Sequence, residues 1–191
     1  MTDIGREEMT PGPIFLTGFM ATGKSKVGRL LARKLNCRFV DTDELIQDRA
    51  SRTIAEIFET DGEELFRQLE YECLVEVSRQ SRVVVALGGG AITQERNREV
   101  IRSAAGLLVC LEAAVETILE RVGRKQTRPL LAGLDALGKR EKINRMLTER
   151  APFYAIADLT IHSSADATPE QTAQQLFEEL RKRRGSCAPS N

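Results

Sequence analysis

An α/β architecture, a five-stranded parallel sheet with helices on both faces, is what this 191-residue chain predicts. Three observations carry that expectation. Five short apolar runs rich in β-branched residues are spread along the chain. The segments between them carry apolar residues at helical spacing. The runs are also nearly continuous in apolarity rather than alternating, as strands covered on both faces are.

Taken in order, the first strand is expected at Pro13–Thr17, followed by helical spacing over Val27–Leu35. The second is Cys37–Val40, after which Leu65–Val77 repeats the helical pattern. Arg82–Leu87 and Leu107–Leu111 give the third and fourth strands, Val115–Arg121 a further helix, and Asp158–His162 the fifth strand. The stretch Gly123–Gly138, with three Gly, one Pro and three basic residues, reads as a mobile loop and the best candidate for a lid. Both ends are polar, so a single domain is expected over 1–191 with its core at about 13–181.

Composition removes several classes. The 28 basic residues balance the 28 acidic ones, so no global field points to nucleic acid or a membrane surface. No apolar run is long enough to span a bilayer, and Asp3, Glu7 and Glu8 occupy the place where a signal peptide would be apolar. Cys37, Cys73, Cys110 and Cys187 are scattered without a C-x-x-C, which suggests neither zinc nor disulfides, and a reducing cytoplasm is the expected home. Neutrality hides a polarity, however. Asp41 to Glu72 holds eleven acidic and three basic residues, and Arg121 to Arg150 holds nine basic and three acidic. The basic stretch is either a solvated helical face or a handler of polyanions.

The sharpest motif is Gly18-Phe19-Met20-Ala21-Thr22-Gly23-Lys24-Ser25, which matches G-x-x-x-x-G-K-[ST] with a strand before it and a helix after. Such a loop turns successive N–H groups onto one anion at a helix N-terminus. Lys24 then adds a point charge for the β- and γ-phosphates, and Ser25 offers a hydroxyl to Mg²⁺. Nucleotide binding follows. The third strand ends in Gly88-Gly89-Gly90 without an acid, so the metal-side carboxylate is sought at Asp41-Thr42-Asp43, after the second strand. Strands adjacent to a phosphate loop bring their C-terminal ends to its crevice. Of these two carboxylates, one can hold the metal's water shell while the other faces an acceptor, or both can cap a helix starting near Glu44. No guanine-reading sequence accompanies the loop, which favours transfer to a small acceptor over GTPase switching.

Three further Arg complete a constellation: Arg67 in Phe66-Arg67-Gln68-Leu69-Glu70, Arg128 in Arg128-Pro129-Leu130-Leu131, and Arg150 in Arg150-Ala151-Pro152. With the phosphate loop, Asp41-x-Asp43 and Gly88-Gly89-Gly90, these segments resemble the shikimate kinase family, in the family's order and from about Pro13 to Arg181. That resemblance implies a P-loop NTPase fold of the nucleoside monophosphate kinase type and the reaction ATP + shikimate → ADP + shikimate 3-phosphate, a step towards chorismate and the aromatic amino acids. It implies an acceptor-binding helical segment at about 42–72, a lid at about 123–138, and a monomer whose partners are small molecules.

Carried over position by position, the resemblance implies that Gly18, Ala21, Thr22, Gly23, Lys24, Ser25 and Lys26 bind ATP, with Arg124 and Arg128 reaching it from the lid. Ser25 would hold Mg²⁺ directly and Asp41 through water. Asp43 would take the acceptor hydroxyl's proton. Arg67 and Arg150 would grip the shikimate carboxylate, with Glu70 holding Arg67, while Gly88, Gly89 and Gly90 let backbone approach the ring. Lys24, Asp43 and Arg128 would form the catalytic set, Arg128 stabilising the transferring phosphoryl group. A carboxylate suits planar Arg forks, and phosphoryl transfer needs chiefly positioning and charge neutralisation.

The sequence departs from the family's usual pattern in places. Lys26 stands where a small hydroxyl residue is usual. Ala21 replaces a common Gly, which a negative φ would tolerate. The lid is short, and Ser163–Pro169 lacks the Arg often found near adenine. Gluconate kinase shares the Asp-x-Asp, but its motif continues into His-Pro and its family carries a Pro-Trp-Leu segment, whereas this chain has Glu44-Leu45 and no Trp. A non-catalytic ATP-sensing module is the reading from another class, and every candidate catalytic residue is present against it. His162 is expected to be structural or solvent-facing, and Cys37, Cys73 and Cys110 to be core residues.

Overall fold

The computed structural model describes residues 12–123, 131 and 133–186, with side chains through 183. Five parallel strands form one sheet: β1 (Ile14–Thr17), β2 (Arg38–Asp41), β3 (Val83–Ala86), β4 (Leu107–Glu112) and β5 (Leu159–His162). Each lies within one residue of its expected bounds. Their spatial order is β2-β3-β1-β4-β5. Among the described residues the helices are α1 (Lys24–Leu35), α2 (Thr42–Ala50), α3 (Ile54–Thr60), α4 (Gly62–Ser78), α5 (Glu95–Ser103), α6 (Val115–Gly123), α7 (Ala136–Tyr154) and α8 (Pro169–Ser186). A short 3-10 turn, Ala91–Thr93, follows β3.

The strands' two-residue period sorts their side chains into two cores. Ile14, Leu16, Val84, Val109 and Leu111 face α1 and α8, meeting Val27, Leu31, Ala173 and Leu176. Phe15, Val83, Val85, Leu108 and Cys110 face the opposite way, against Leu74 of α4, Ile101 of α5, Ile118 of α6 and Ile143 of α7. Burial of each such aliphatic side chain stabilises by about 1.5–3 kcal/mol. A third, smaller cluster of Ile46, Ile57, Phe66 and Cys73 packs α2, α3 and α4 onto one another. The acidic helical segment therefore has a core of its own.

Four sequence expectations need correction. The second strand is not beside the phosphate-loop strand, because β3 pairs with both β1 and β2 and lies between them. The helix expected near Glu44 begins at Thr42, since the Asp41 side chain accepts a hydrogen bond from Asp43 N–H and caps it there. The first and fourth helices also begin three residues earlier than the apolar spacing shows, at Lys24 and Gly62. Finally, the loop expected over 123–138 is narrower than that. Gly123 ends α6, and Asp135 caps α7 by accepting from Gly138 N–H at 2.8 Å. Leu131, inside that segment, is buried in the core. Arg124 and Arg128 lie outside the described residues.

Candidate active site

The carboxyl ends of β1, β3 and β2 emerge in register. Leu16 and Asp41 both pair with Ala86, so the phosphate loop, Leu87-Gly88 and Asp41-Thr42 leave the sheet along one edge. From β1 the chain turns at Gly18, whose φ is 133°, and a Cβ there would stand 2.2 Å from Leu111 O. Only glycine passes that point. Thr22 Oγ1 closes the loop by donating to Phe19 O at 2.9 Å, and Gly23, at φ 101°, caps α1. Lys24 Nζ lies back over the loop, donating to Gly18 O at 2.8 Å and Phe19 O at 3.0 Å. Ala21 does not have the negative φ that would make its replacement of Gly free of strain. Its φ is +61°, a left-handed conformation that costs a non-glycine residue about 1–2 kcal/mol. Arg121 of α6 donates to Ala21 O at 3.3 Å and also to Ser163 Oγ and Ser164 O, joining the loop to the turn after β5. Lys26 is exposed.

Although β2 is one strand removed from β1, Asp41 meets the phosphate loop through α1. Gly28 makes this possible. A Cβ there would fall 2.5 Å from the Phe39 ring, so its absence lets α1 settle against β2. Arg29 lies over the same ring at 4.9 Å. Ser25 Oγ then donates to Asp41 Oδ2 at 2.5 Å, while Oδ1 accepts from Asp43 N–H at 3.0 Å. One carboxylate thus caps α2 and faces the loop, leaving the Asp43 carboxylate pointing elsewhere.

It points at Gly88. A Cβ on that residue would stand 2.6 Å from Asp43 Oδ1 and 3.2 Å from Glu70 Oε1. Next along the turn, Gly89 O accepts from Arg150 Nη1 at 2.8 Å, and Tyr154 Oη donates to the same oxygen at 3.4 Å. Gly90 lies under the Arg67 guanidinium, whose Nη2 would be 3.2 Å from a Cβ there. Asp43, Glu70, Arg150 and Arg67 therefore converge on three consecutive glycines. Thr42 fixes the turn by donating from Oγ1 to Ala86 O and accepting Gly88 N–H at 2.9 Å.

Electrostatics in this cluster are strongly coupled. Arg67 Nη1 donates to Glu70 Oε2 at 3.0 Å, and Nε and Nη2 donate to Glu63 Oε1. Burial works against the Arg67 charge, but Glu70 and Glu63 outweigh it and hold its pKa above the ordinary value. Glu70 is 1% exposed. Its pKa is raised, first by burial, with Arg67 opposing and Asp43 reinforcing. Burial likewise raises Tyr154, with Arg150 opposing.

Of the groups expected in the site, Gly18, Ala21–Ser25, Asp41, Asp43, Arg67, Glu70, Gly88–Gly90 and Arg150 lie along this one sheet edge. Sequence reasoning passed over Thr42, Asn97 and Tyr154. Fully buried Asn97 was the one available signal, as a polar residue on the inner side of α5. A cavity of about 260 Å³ opens between the phosphate loop and α7, lined among others by Phe19, Cys110 and Tyr154; Thr22 is the one candidate residue in its wall. His162 is solvent-facing, 3.4 Å from Glu112. Cys73 and Cys110 are buried as expected, while Cys37 is half-buried.

The arrangement suits phosphoryl transfer to an acid. It offers a phosphate loop, a Ser–Asp oxygen pair beside it, a carboxylate aimed at a glycine ridge, and two guanidiniums on that ridge. Comparison with known proteins agrees. A family model described as Shikimate kinase matches residues 20–181. The chain is 41% identical over 172 residues to a shikimate kinase of Caldanaerobacter subterraneus subsp. tengcongensis, covering 90% of this chain and 98% of that one. It is 45% identical over 157 residues to that of Geobacter sulfurreducens, covering 82% and 84%. The solved structure of shikimate kinase from Acinetobacter baumannii in complex with shikimate superposes with a TM-score of 0.83 at 36% identity, covering 92% of this chain and 96% of that one. A gluconokinase from Sinorhizobium meliloti shares the fold at 15% identity and a TM-score of 0.59. Motif order, site geometry and relatives agree, and the chain belongs to the shikimate kinase family.

Proposed function

We propose that this cleft transfers the γ-phosphoryl group of ATP to the 3-hydroxyl of shikimate, with the residues around Gly88–Gly90 as the acceptor site. The observation that carries the reading is the convergence of Asp43, Arg67, Glu70 and Arg150 on that turn, beside the phosphate loop.

Phosphates bind to the N–H groups of Gly18–Ser25 and to Lys24, whose ammonium exchanges the Gly18 and Phe19 carbonyls for phosphate oxygens. Arg67 and Arg150 take the shikimate carboxylate as a pair of forks. Glu70 and Glu63 hold Arg67 charged and in place before substrate arrives. Gly88, Gly89 and Gly90 leave room for the ring. Asp43 accepts the hydroxyl proton as the oxygen attacks the γ-phosphorus. Arg128 comes from the lid to neutralise the transferring group, Arg124 contacts the adenine of ATP, and Arg121 flanks the nucleotide between the phosphate loop and the turn after β5.

Ser25 and Asp41 fit Mg²⁺. They are hard oxygen donors 2.5 Å apart beside the phosphate loop. Among the described residues no cluster of three His, Cys, Asp or Glu forms a cage, as suits a cation held chiefly by phosphate oxygens. When bound, the ion neutralises charge on the β- and γ-phosphates. We read the chain as one kinase domain, monomeric and cytoplasmic, with small-molecule partners and neither nucleic acid nor membrane among them. Among the described residues no helix is long and apolar enough to cross a membrane.

The test couples ADP formation to added acceptor. Shikimate should support turnover and gluconate should not. ADP release that ignores shikimate would overturn the reading.

A further inference from the structure

Three consecutive residues of α5 reach three different parts of the acceptor cluster. Successive helix positions point about 100° apart, so such a triplet can brace three neighbours at once. Arg96 Nη2 donates to Arg67 O at 2.7 Å, and its guanidinium stacks over Tyr71 at 4.9 Å, both on α4. Arg98 Nη1 donates to Ile92 O and Thr93 O, each at 2.8 Å, in the 3-10 turn after the glycines. Its guanidinium also covers the Phe153 ring of α7 at 4.8 Å, three residues from Arg150. Between them Asn97 is fully buried. Its Nδ2 donates to Ala91 O at 3.0 Å and to Glu70 Oε2 at 3.3 Å, the oxygen that also receives Arg67.

Two acceptors at one end of the Asn97 amide fix its orientation. The other end, Oδ1, is buried and has no hydrogen-bond partner among the described residues, as is the case for Glu70 Oε1. Native interiors seldom keep such groups, and an aliphatic side chain at position 97 would strand neither Oδ1 nor the space it fills. Packing alone therefore gives no reason for an amide here; the bonds to Glu70 and the turn do.

We propose that Asn97 is a positioning residue for the acceptor carboxylate, fixing Glu70, and through it the Arg67 guanidinium, against the turn on which Arg150 is docked. Arg96 and Arg98 brace the same assembly from either side. Together they set the spacing of the two forks, and recognition by paired forks tolerates only small displacements. This rests on reading Arg67 and Arg150 as the carboxylate clamp.

The experiment is a double-mutant cycle on the full chain, using steady-state kinetics and shikimate titration by calorimetry. Asn97→Ala should raise the shikimate KM on the order of tenfold, the scale of a disturbed hydrogen bond to a charged group. The MgATP KM and kcat should stay within about twofold. In an Arg67→Ala background the same change should add less than about twofold, because its effect passes through Arg67. A residue that only supported the fold would lower the melting temperature, leave KM alone, and act independently of Arg67. A folded Asn97→Ala protein with unchanged shikimate KM, or a full multiplicative effect in the double variant, would overturn the proposal. If Asn97→Ala does not fold, Arg98→Met tests the same bracket. It should raise the shikimate KM and couple to Arg150→Ala, and an unchanged KM would overturn the bracket. Unchanged shikimate affinity in Arg67→Ala alone would remove the clamp reading itself, a result distinguishable from any Asn97 outcome.

Discussion

The phosphate loop and the glycine turn after β3 lie on the same sheet edge but are built in different ways. Gly18–Ser25 is one continuous piece of chain whose anion-binding groups are backbone N–H donors, held by a turn at Gly18 that no other residue could make. Around Gly88–Gly90 the backbone is a ridge, and the working groups are side chains delivered by α2, α4 and α7, with α5 behind them. The first half recognises a phosphate chain, which any nucleotide presents. Under the proposed function, shape and charge particular to one acid are read by the second half. The fold itself is shared with a gluconokinase at 15% identity, and a shared fold leaves the side chains of a site free to differ.

Substitutions can break the two halves separately. Lys24→Ala should have the largest effect, lowering turnover by about 10³-fold or more and weakening MgATP binding, because the loop loses its mobile charge. Steady-state kinetics and nucleotide titration check this, and near-normal turnover would remove the phosphate-loop assignment. Gly88→Ala comes next. The added methyl would stand 2.6 Å from Asp43 Oδ1, so the carboxylate must move. A misplacement of that size should cost kcat on the order of 10²-fold with MgATP affinity unchanged. Equal loss of nucleotide affinity would show that the halves are not separable. Arg67→Ala should raise the shikimate KM by roughly 10–10²-fold while kcat changes little, as loss of a contact made in both ground and transition states does. Calorimetry with unchanged shikimate affinity would place Arg67 outside the acceptor site.

The smallest effect concerns the core beneath both halves. Burial pushes the Cys110 thiol from 9.0 up to about 12. Between those values the folded chain keeps a proton that the unfolded chain has lost, so stability is full below about 9 and falls as pH rises towards 12. Thermal melts in that range should decline less steeply for Cys110→Ala than for the parent, compared as slopes. Identical slopes would mean that Cys110 does not contribute.

Much of the nucleotide half was legible because its signal is local. Gly18 to Ser25 are contiguous, and the flanking strand and helix are read from the adjoining residues. The acceptor half was legible as residues and not as geometry. Glu70 and Asn97 are 27 positions apart, and their hydrogen bond depends on how α5 packs against α4. Likewise Asp41 reaches Ser25 although β3 separates β2 from β1, through close packing at Gly28 that periodicity does not reveal. The positive φ of Ala21 was not legible either, because the loop's curvature, rather than the residue's own preference, sets its backbone.

Whether the side-chain half performs the chemistry is tested most directly at Asp43. Asp41, not Asp43, supplies the oxygen that caps α2, so an amide at position 43 keeps the helix start and removes the base. Asp43→Asn should lower kcat by at least about 10²-fold, the scale of a lost general base, with shikimate and MgATP still bound and the melting temperature little changed. Raising Mg²⁺ should not rescue it, whereas Asp41→Asn should recover in part. A folded Asp43→Asn protein with near-normal kcat would contradict the account, and partial rescue by Mg²⁺ would mean that the two carboxylates have exchanged roles.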